Sequence, residues 1–183
     1  MDEVSASDLK TLKKGDIVDF HDAYLVTGFP VPNFNILSEG PFTVNKAFKY
    51  SSSWEYLVES MVGGAAYVEY EEEDGEPEIL IDIRLDKRFP NVSSDLLSTP
   101  KRDVQKFTLN GVTYYLDEHD DDESEDGEEY EYWDFYSGPI PGSEDQQLFI
   151  GIEDYGDSGK PEYEVFAGFT LPARAIKDII KRK

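Results

Sequence analysis

The chain has 183 residues, enough for one large domain or two small ones with a buried core, and its 39% hydrophobic and 14% aromatic content marks it as globular despite a formal charge of −23. That charge disfavours nucleic acid and anionic membrane as direct ligands, because binding phosphates needs Lys and Arg, and the absence of Cys excludes disulfides and thiolate metal sites. No run approaches the ~20 apolar residues of a membrane span, and Met1-Asp2-Glu3-Val4-Ser5 lacks the basic start and apolar core of a signal peptide, so a cytoplasmic protein is the expectation.

Ser7 to Lys14 predicts one helical turn with Leu9 and Leu12 on a common side, broken by Gly15-Asp16. Ile17-Val18-Asp19-Phe20 reads as the first strand and His21-Asp22-Ala23 as a turn. Residues 28–53 are cut by Pro30, Pro32, Gly40 and Pro41 but anchored by Phe29, Phe34, Phe42, Phe48 and Tyr50, which predicts an inserted loop, with room for a short hairpin. From Trp54 to Glu59 the pattern alternates, with Trp54, Tyr56 and Val58 on one face. The clearest strand follows: Ile79, Ile81, Ile83 and Leu85 point one way, Asp82 and Arg84 the other. Pro77 at its start loses no needed N–H.

Residues 89–105, with Pro90, Pro100 and several serines, predict a linker between an N-terminal half (1–88) and a C-terminal half (106–183). The second half opens on Asn110-Gly111 between two β-rich runs, the strongest local hairpin signal, because both central residues of a type I′ turn need positive φ. Residues 117–131 are almost all Asp or Glu and read as a solvated acidic loop at the tip of a long hairpin. Pro172 then opens a predicted short helix, 172–182, with Ile176, Ile179 and Ile180 as an apolar stripe and Lys181, Arg182 and Lys183 in its last turn.

One hairpin recurs. Tyr67–Glu71, Gly75-Glu76-Pro77-Glu78 and Ile79–Ile83 parallel Leu148–Glu153, Gly159-Lys160-Pro161-Glu162 and Tyr163–Ala167, and each copy follows an aromatic strand, Trp54-Glu55-Tyr56 or Trp133-Asp134-Phe135. The predicted fold is therefore mainly β: two similar antiparallel halves, each a small twisted sheet or partly open barrel, with a short C-terminal helix.

Lys-Lys-Gly-Asp-Ile-Val at 13–18, Trp54-Glu55-Tyr56, Tyr130-Glu131-Tyr132-Trp133-Asp134-Phe135 and a closing hairpin ending near Ala175-Ile176 together resemble the bacterial family called domain of unknown function 4178. The resemblance covers most of the chain and implies a soluble β domain, often encoded beside membrane-associated or stress-related neighbours. It implies no established chemistry and transfers no catalytic residues. The long 28–53 segment and the acidic tract depart from it.

No nucleophile elbow, phosphate-cradling Gly-rich loop or dependable carboxylate pair stands out, so no enzyme and no cofactor are expected. Asp122, Ser124 and Asp126 before Gly127 match the first half of a calcium loop, yet the position of the closing bidentate Glu is Trp133, which cannot ligate. His21 and His119, each beside an Asp, sit at predicted turns with nothing to bring them together for zinc. Tyr130, Tyr132, Asp134 and Tyr136 share the face of their strand opposite Trp133 and Phe135. If uncovered, that face is a binding surface. The favoured function is a non-catalytic interaction module with a protein partner, for which a basic partner suits the charge. The alternatives are a DNA-mimic or immunity-type decoy that occupies a basic protein, and a calcium-responsive β domain.

Overall fold

The computed structural model describes residues 4–26, 34–50, 52–85, 105–124, 126–156 and 162–183. Among these residues eleven strands follow one another: β1 (Ile17–Phe20), β2 (Phe42–Lys49), β3 (Ser53–Glu59), β4 (Ala65–Glu73), β5 (Glu76–Arg84), β6 (Lys106–Leu109), β7 (Val112–Glu123), β8 (Glu129–Ile140), β9 (Ser143–Asp154), β10 (Tyr163–Leu171) and β11 (Ile176–Ile180). Helical structure among the described residues is confined to short 3-10 turns, and no helix there is long and apolar enough to cross a membrane. The fold is mainly β and antiparallel, as expected. The chain divides into two units, Met1–Ile83 with Gly168–Lys183, and Arg84–Ala167.

In the first unit the strands run in the order β11-β1-β2-β3-β4-β5. The sequence alternation becomes burial: Tyr56 and Val58 of β3, Val68 and Tyr70 of β4, and Ile79 and Ile81 of β5 are all within 2% of full burial. Each such side chain contributes roughly 1.5–3 kcal/mol by leaving water. Ala6–Thr11 is a 3-10 turn started by a capping box, in which the Ser5 side chain accepts from Ser7 N–H and Asp8 reaches back to Ser5 N–H. It drops Leu9 and Leu12 onto the core, and the Tyr56 hydroxyl donates to the Leu9 carbonyl. The β4–β5 turn is a two-residue hairpin in which Asp74 and Gly75 have φ of 51° and 80°, the type I′ geometry. The matching second corner, 157–161, lies outside the described residues, as does nearly all of the predicted linker 89–105.

Two expectations for this unit need correction. Within residues 28–53, an expected inserted loop, 42–49 is the full strand β2, paired with β1 and β3 and burying Phe42 and Val44. The predicted C-terminal helix 172–182 does not form. Ala173–Ala175 is a single 3-10 turn, and Ile176–Ile180 is β11, paired antiparallel with β1 (Val18 opposite Ile179, Ile17 opposite Ile180). β1 offers an unpaired ladder edge, and β-branched isoleucines suit it. A bulge between Asp19 and Phe20 puts Ile176 and Ile179, three apart, opposite the buried Phe20 and Val18, while Ile180 lies opposite Ile17 and is exposed. The basic end is held by Asp16, which is fully buried: its carboxylate accepts from Arg182 N–H at 2.9 Å and Lys13 N–H at 3.0 Å and pairs with Lys181 at 3.3 Å.

The second unit is a meander in the order β10-β9-β8-β7-β6. Asn110 and Gly111 form the expected type I′ turn, with φ of 50° and 80° and Leu109 opposite Val112. Tyr114, Trp133, Phe135, Ile150, Ile152 and Val165 make its core. Pro139 interrupts the β8–β9 register. Ser137 bridges the gap, its hydroxyl accepting from Leu148 N–H at 2.9 Å and its carbonyl from the Gln147 side chain at 2.8 Å.

Candidate protein-binding face

The acidic tract is not a loop. Ser124, Gly127 and Glu128 lie at its turn, and the described residues on either side are ladder: Asp120 lies opposite Tyr132, Asp121 opposite Glu131, Asp122 opposite Tyr130 and Glu123 opposite Glu129. The tyrosines opposite Asp120 and Asp122 spare those two rungs a like-charge contact, whereas Asp121–Glu131 and Glu123–Glu129 set acid against acid.

Because neighbouring side chains alternate, Trp133 and Phe135 go to the core and Tyr130, Tyr132, Asp134 and Tyr136 share the other face, all four half-buried. The face grouping read from sequence holds. The structure adds what borders it. A bulge in β7 between Leu116 and Glu118 shifts the phase of the strand, so Glu118 stands opposite Asp134 on the tyrosine face while Leu116 stands opposite Phe135 on the core face. Asp120 and Asp122 follow Glu118. From β9 come Glu153 opposite Tyr132 and Phe149 opposite Tyr136.

The aromatic groups touch. Tyr130 stacks on Tyr155 with centroids 4.9 Å apart, and Tyr136 leans on Phe149 at 5.2 Å. Phe149 folds over Gly151, where a Cβ would come within 2.8 Å of the ring. Below them Tyr115, opposite Tyr136, is 54% exposed.

Burial, then the hydrogen bond to Glu118 and the charges of Asp134 and Asp120, push the Tyr132 phenol well above its usual range. Burial, then Glu153, does the same to Tyr155, whose hydroxyl donates to Glu153 at 2.9 Å. These phenols stay neutral donors to Glu118 and Glu153. Tyr115, Phe149 and Tyr155 were missed in the sequence. Alternation along 148–154 marks Phe149, but no local signal marks Tyr155, which lies just past the strand.

On the opposite face His119 stacks on Trp133 (4.7 Å, 12°), and its Nε2 lies 2.7 Å from Glu131 Oε1. It is a strand residue rather than a turn histidine. His21, in the first unit, precedes the 3-10 turn Asp22–Tyr24 and donates its N–H to the Ala175 carbonyl. Of the calcium-loop candidates, Asp122 is an exposed strand residue that accepts from Glu123 N–H, Ser124 closes the turn by accepting from Glu128 N–H at 3.1 Å, and Asp126 is exposed in that turn. Among the described residues no three or more His, Cys, Asp or Glu side chains are grouped to hold a metal.

A family described as Domain of unknown function (DUF4178) matches residues 37–173, which includes this face. No curated protein and no solved structure matches the chain.

Proposed function

The chain belongs to the DUF4178 family, whose description names no activity, and we propose from its geometry that it is a non-catalytic interaction module that binds a protein partner through the tyrosine-and-carboxylate face of β7–β9. The observation that carries this reading is the placement of Tyr130, Tyr132, Asp134 and Tyr136, half-exposed on one face while Trp133 and Phe135 are buried behind them. Rigid aromatic side chains on a strand lose little entropy on contact and are frequent binding anchors. A basic partner in a bacterial cytoplasm fits the −23 charge.

The duplication belongs to the same proposal. Each meander carries its Trp-acid-aromatic segment on the third strand, β3 or β8, and its repeated hairpin on the fourth and fifth. In this reading one copy carries the binding face. The decoy alternative draws on the net charge alone. Tyrosines interleaved with the acids favour contact with side chains over imitation of phosphates.

The test places a photo-crosslinking amino acid at Tyr132 and, separately, at Asp121 on the opposite face, in the full chain within its own cell lysate. The expected result is a discrete protein adduct from position 132 and none from 121. Equal adducts from both positions, or none from 132, would overturn the proposal.

A further inference from the structure

We propose that this face selects arginine: the partner presents a segment whose guanidinium groups seat between the phenol rings and the carboxylates of β7–β9. The inference rests on the reading of that face as the binding surface and names the chemistry it recognises.

Three observations converge on a planar cation. The first is the register. Tyr132 has Asp120 beside it on β7 and Glu153 beside it on β9, and Tyr130 has Asp122. Directly paired side chains on neighbouring strands stand about 5 Å apart, so each ring has a carboxylate within reach of a group lying on its π-face.

The second is the state of the phenols. Tyr132 and Tyr155 are neutral and direct their hydroxyls at Glu118 and Glu153. A neutral ring has an electron-rich face that attracts a cation, and the carboxylate at its rim is oriented before any partner arrives.

The third is charge. No Lys or Arg occurs between Lys106 and Lys160, so the β7–β9 stretch supplies no cation of its own to the carboxylates that the bulge after Leu116 turns onto this face. An apolar partner would bury those carboxylates in poor surroundings, and an anionic one would be repelled. Guanidinium fits better than ammonium: its fork of donors matches a carboxylate while its plane stacks on an aromatic ring, whereas Lys offers a strongly hydrated point charge.

The test titrates the full chain with a fluorescent peptide of alternating arginine and glycine and with its lysine counterpart. Variants remove the rings (Tyr130→Leu with Tyr132→Leu), the carboxylates of this face (Asp120→Asn with Asp122→Asn), or an equal charge from the opposite face (Asp121→Asn with Glu123→Gln). The arginine peptide is expected to bind about fivefold tighter than the lysine peptide. Losing the rings abolishes that ratio, and Tyr132→Phe, which keeps the ring and guards against misfolding as the cause, retains it. Losing Asp120 and Asp122 weakens both peptides more than the opposite-face pair does. Equal affinity of the two peptides for the native chain, or equal loss from the two neutralised pairs, overturns the inference. If the crosslinker at position 132 still captures a face-specific partner while the peptides bind alike, arginine selection falls and the binding face stands. If position 132 captures nothing and the peptides bind alike, both fall.

Discussion

The carboxylate of Asp16 accepts a hydrogen bond from the backbone N–H of Arg182 at 2.9 Å, and through it the end of β11 is fastened to the turn that leads into β1. Burial of Asp16 opposes its ionisation, but the N–H groups of Arg182 and Lys13 and the Lys181 ammonium outweigh that and lower its pKa. A carboxyl with a depressed folded pKa adds stability that is fully present above its unfolded value of about 3.9 and is lost as pH falls through the folded value. Asp16→Asn should therefore cost about 2 kcal/mol at neutral pH. The loss relative to native should shrink as pH falls below about 4, as urea melts at pH 7, 5 and 3 would show. A pH-independent deficit would refute the ionised role.

Gly168 should tolerate no side chain. A Cβ there would lie 2.0 Å from the Ile81 carbonyl oxygen and 2.6 Å from the Asp82 Cβ, contacts made with backbone and strand rather than with a flexible side-chain end. The same close approach leaves Asp82 only 7% exposed, although alternation points it away from the Ile79–Ile83 core. Gly168→Ala is expected to lose at least about 2 kcal/mol in denaturant melts, since backbone must shift to admit a methyl group.

Tyr114 and Tyr56 should respond oppositely to loss of their hydroxyls. Both are buried, but the Tyr114 hydroxyl has no hydrogen-bond partner, whereas that of Tyr56 donates to the Leu9 carbonyl. Tyr114→Phe is expected to be neutral or stabilising by up to about 1 kcal/mol, and Tyr56→Phe to cost about 1 kcal/mol, both read as shifts in thermal midpoint.

Salt should stabilise the β7–β8 hairpin. Asp121 faces Glu131, Glu123 faces Glu129 and Glu118 faces Asp134, so like charges oppose each other on several rungs. Raising sodium chloride from about 20 to about 500 mM shortens the Debye length from over 20 Å to under 5 Å and should raise the thermal midpoint by several degrees. Calcium should do no more than magnesium at equal ionic strength, because the Ser124 hydroxyl already closes the turn. A calcium-specific rise would restore the calcium-responsive reading.

Local chemistry made much of this legible. Asn110-Gly111 demands its turn whatever surrounds it, and alternation along 79–83 and 130–136 assigned faces correctly because the pleat has a period of two. The failures share a cause. Ile176, Ile179 and Ile180 carry a helical spacing, and nothing in the local sequence reveals the β1 edge that pairs with them or the bulge that puts Ile176 and Ile179 on one face. The acidic tract reads as a loop because its charge is concentrated along the chain, while the pairing of Asp120 with Tyr132 and of Asp122 with Tyr130 exists only across the ladder.

By itself, the sequence determined the β class, the corners at 74–75 and 110–111, the core faces of the main strands and the family, all of which depend on residues near one another in the chain. Tertiary structure alone decided that β11 pairs with β1, that the β7 bulge turns Glu118, Asp120 and Asp122 beside the tyrosines, and that Phe149 and Tyr155 complete the aromatic surface. Those outcomes depend on register and on free strand edges, which are set by the energy of the whole ladder and which no local run of residues encodes.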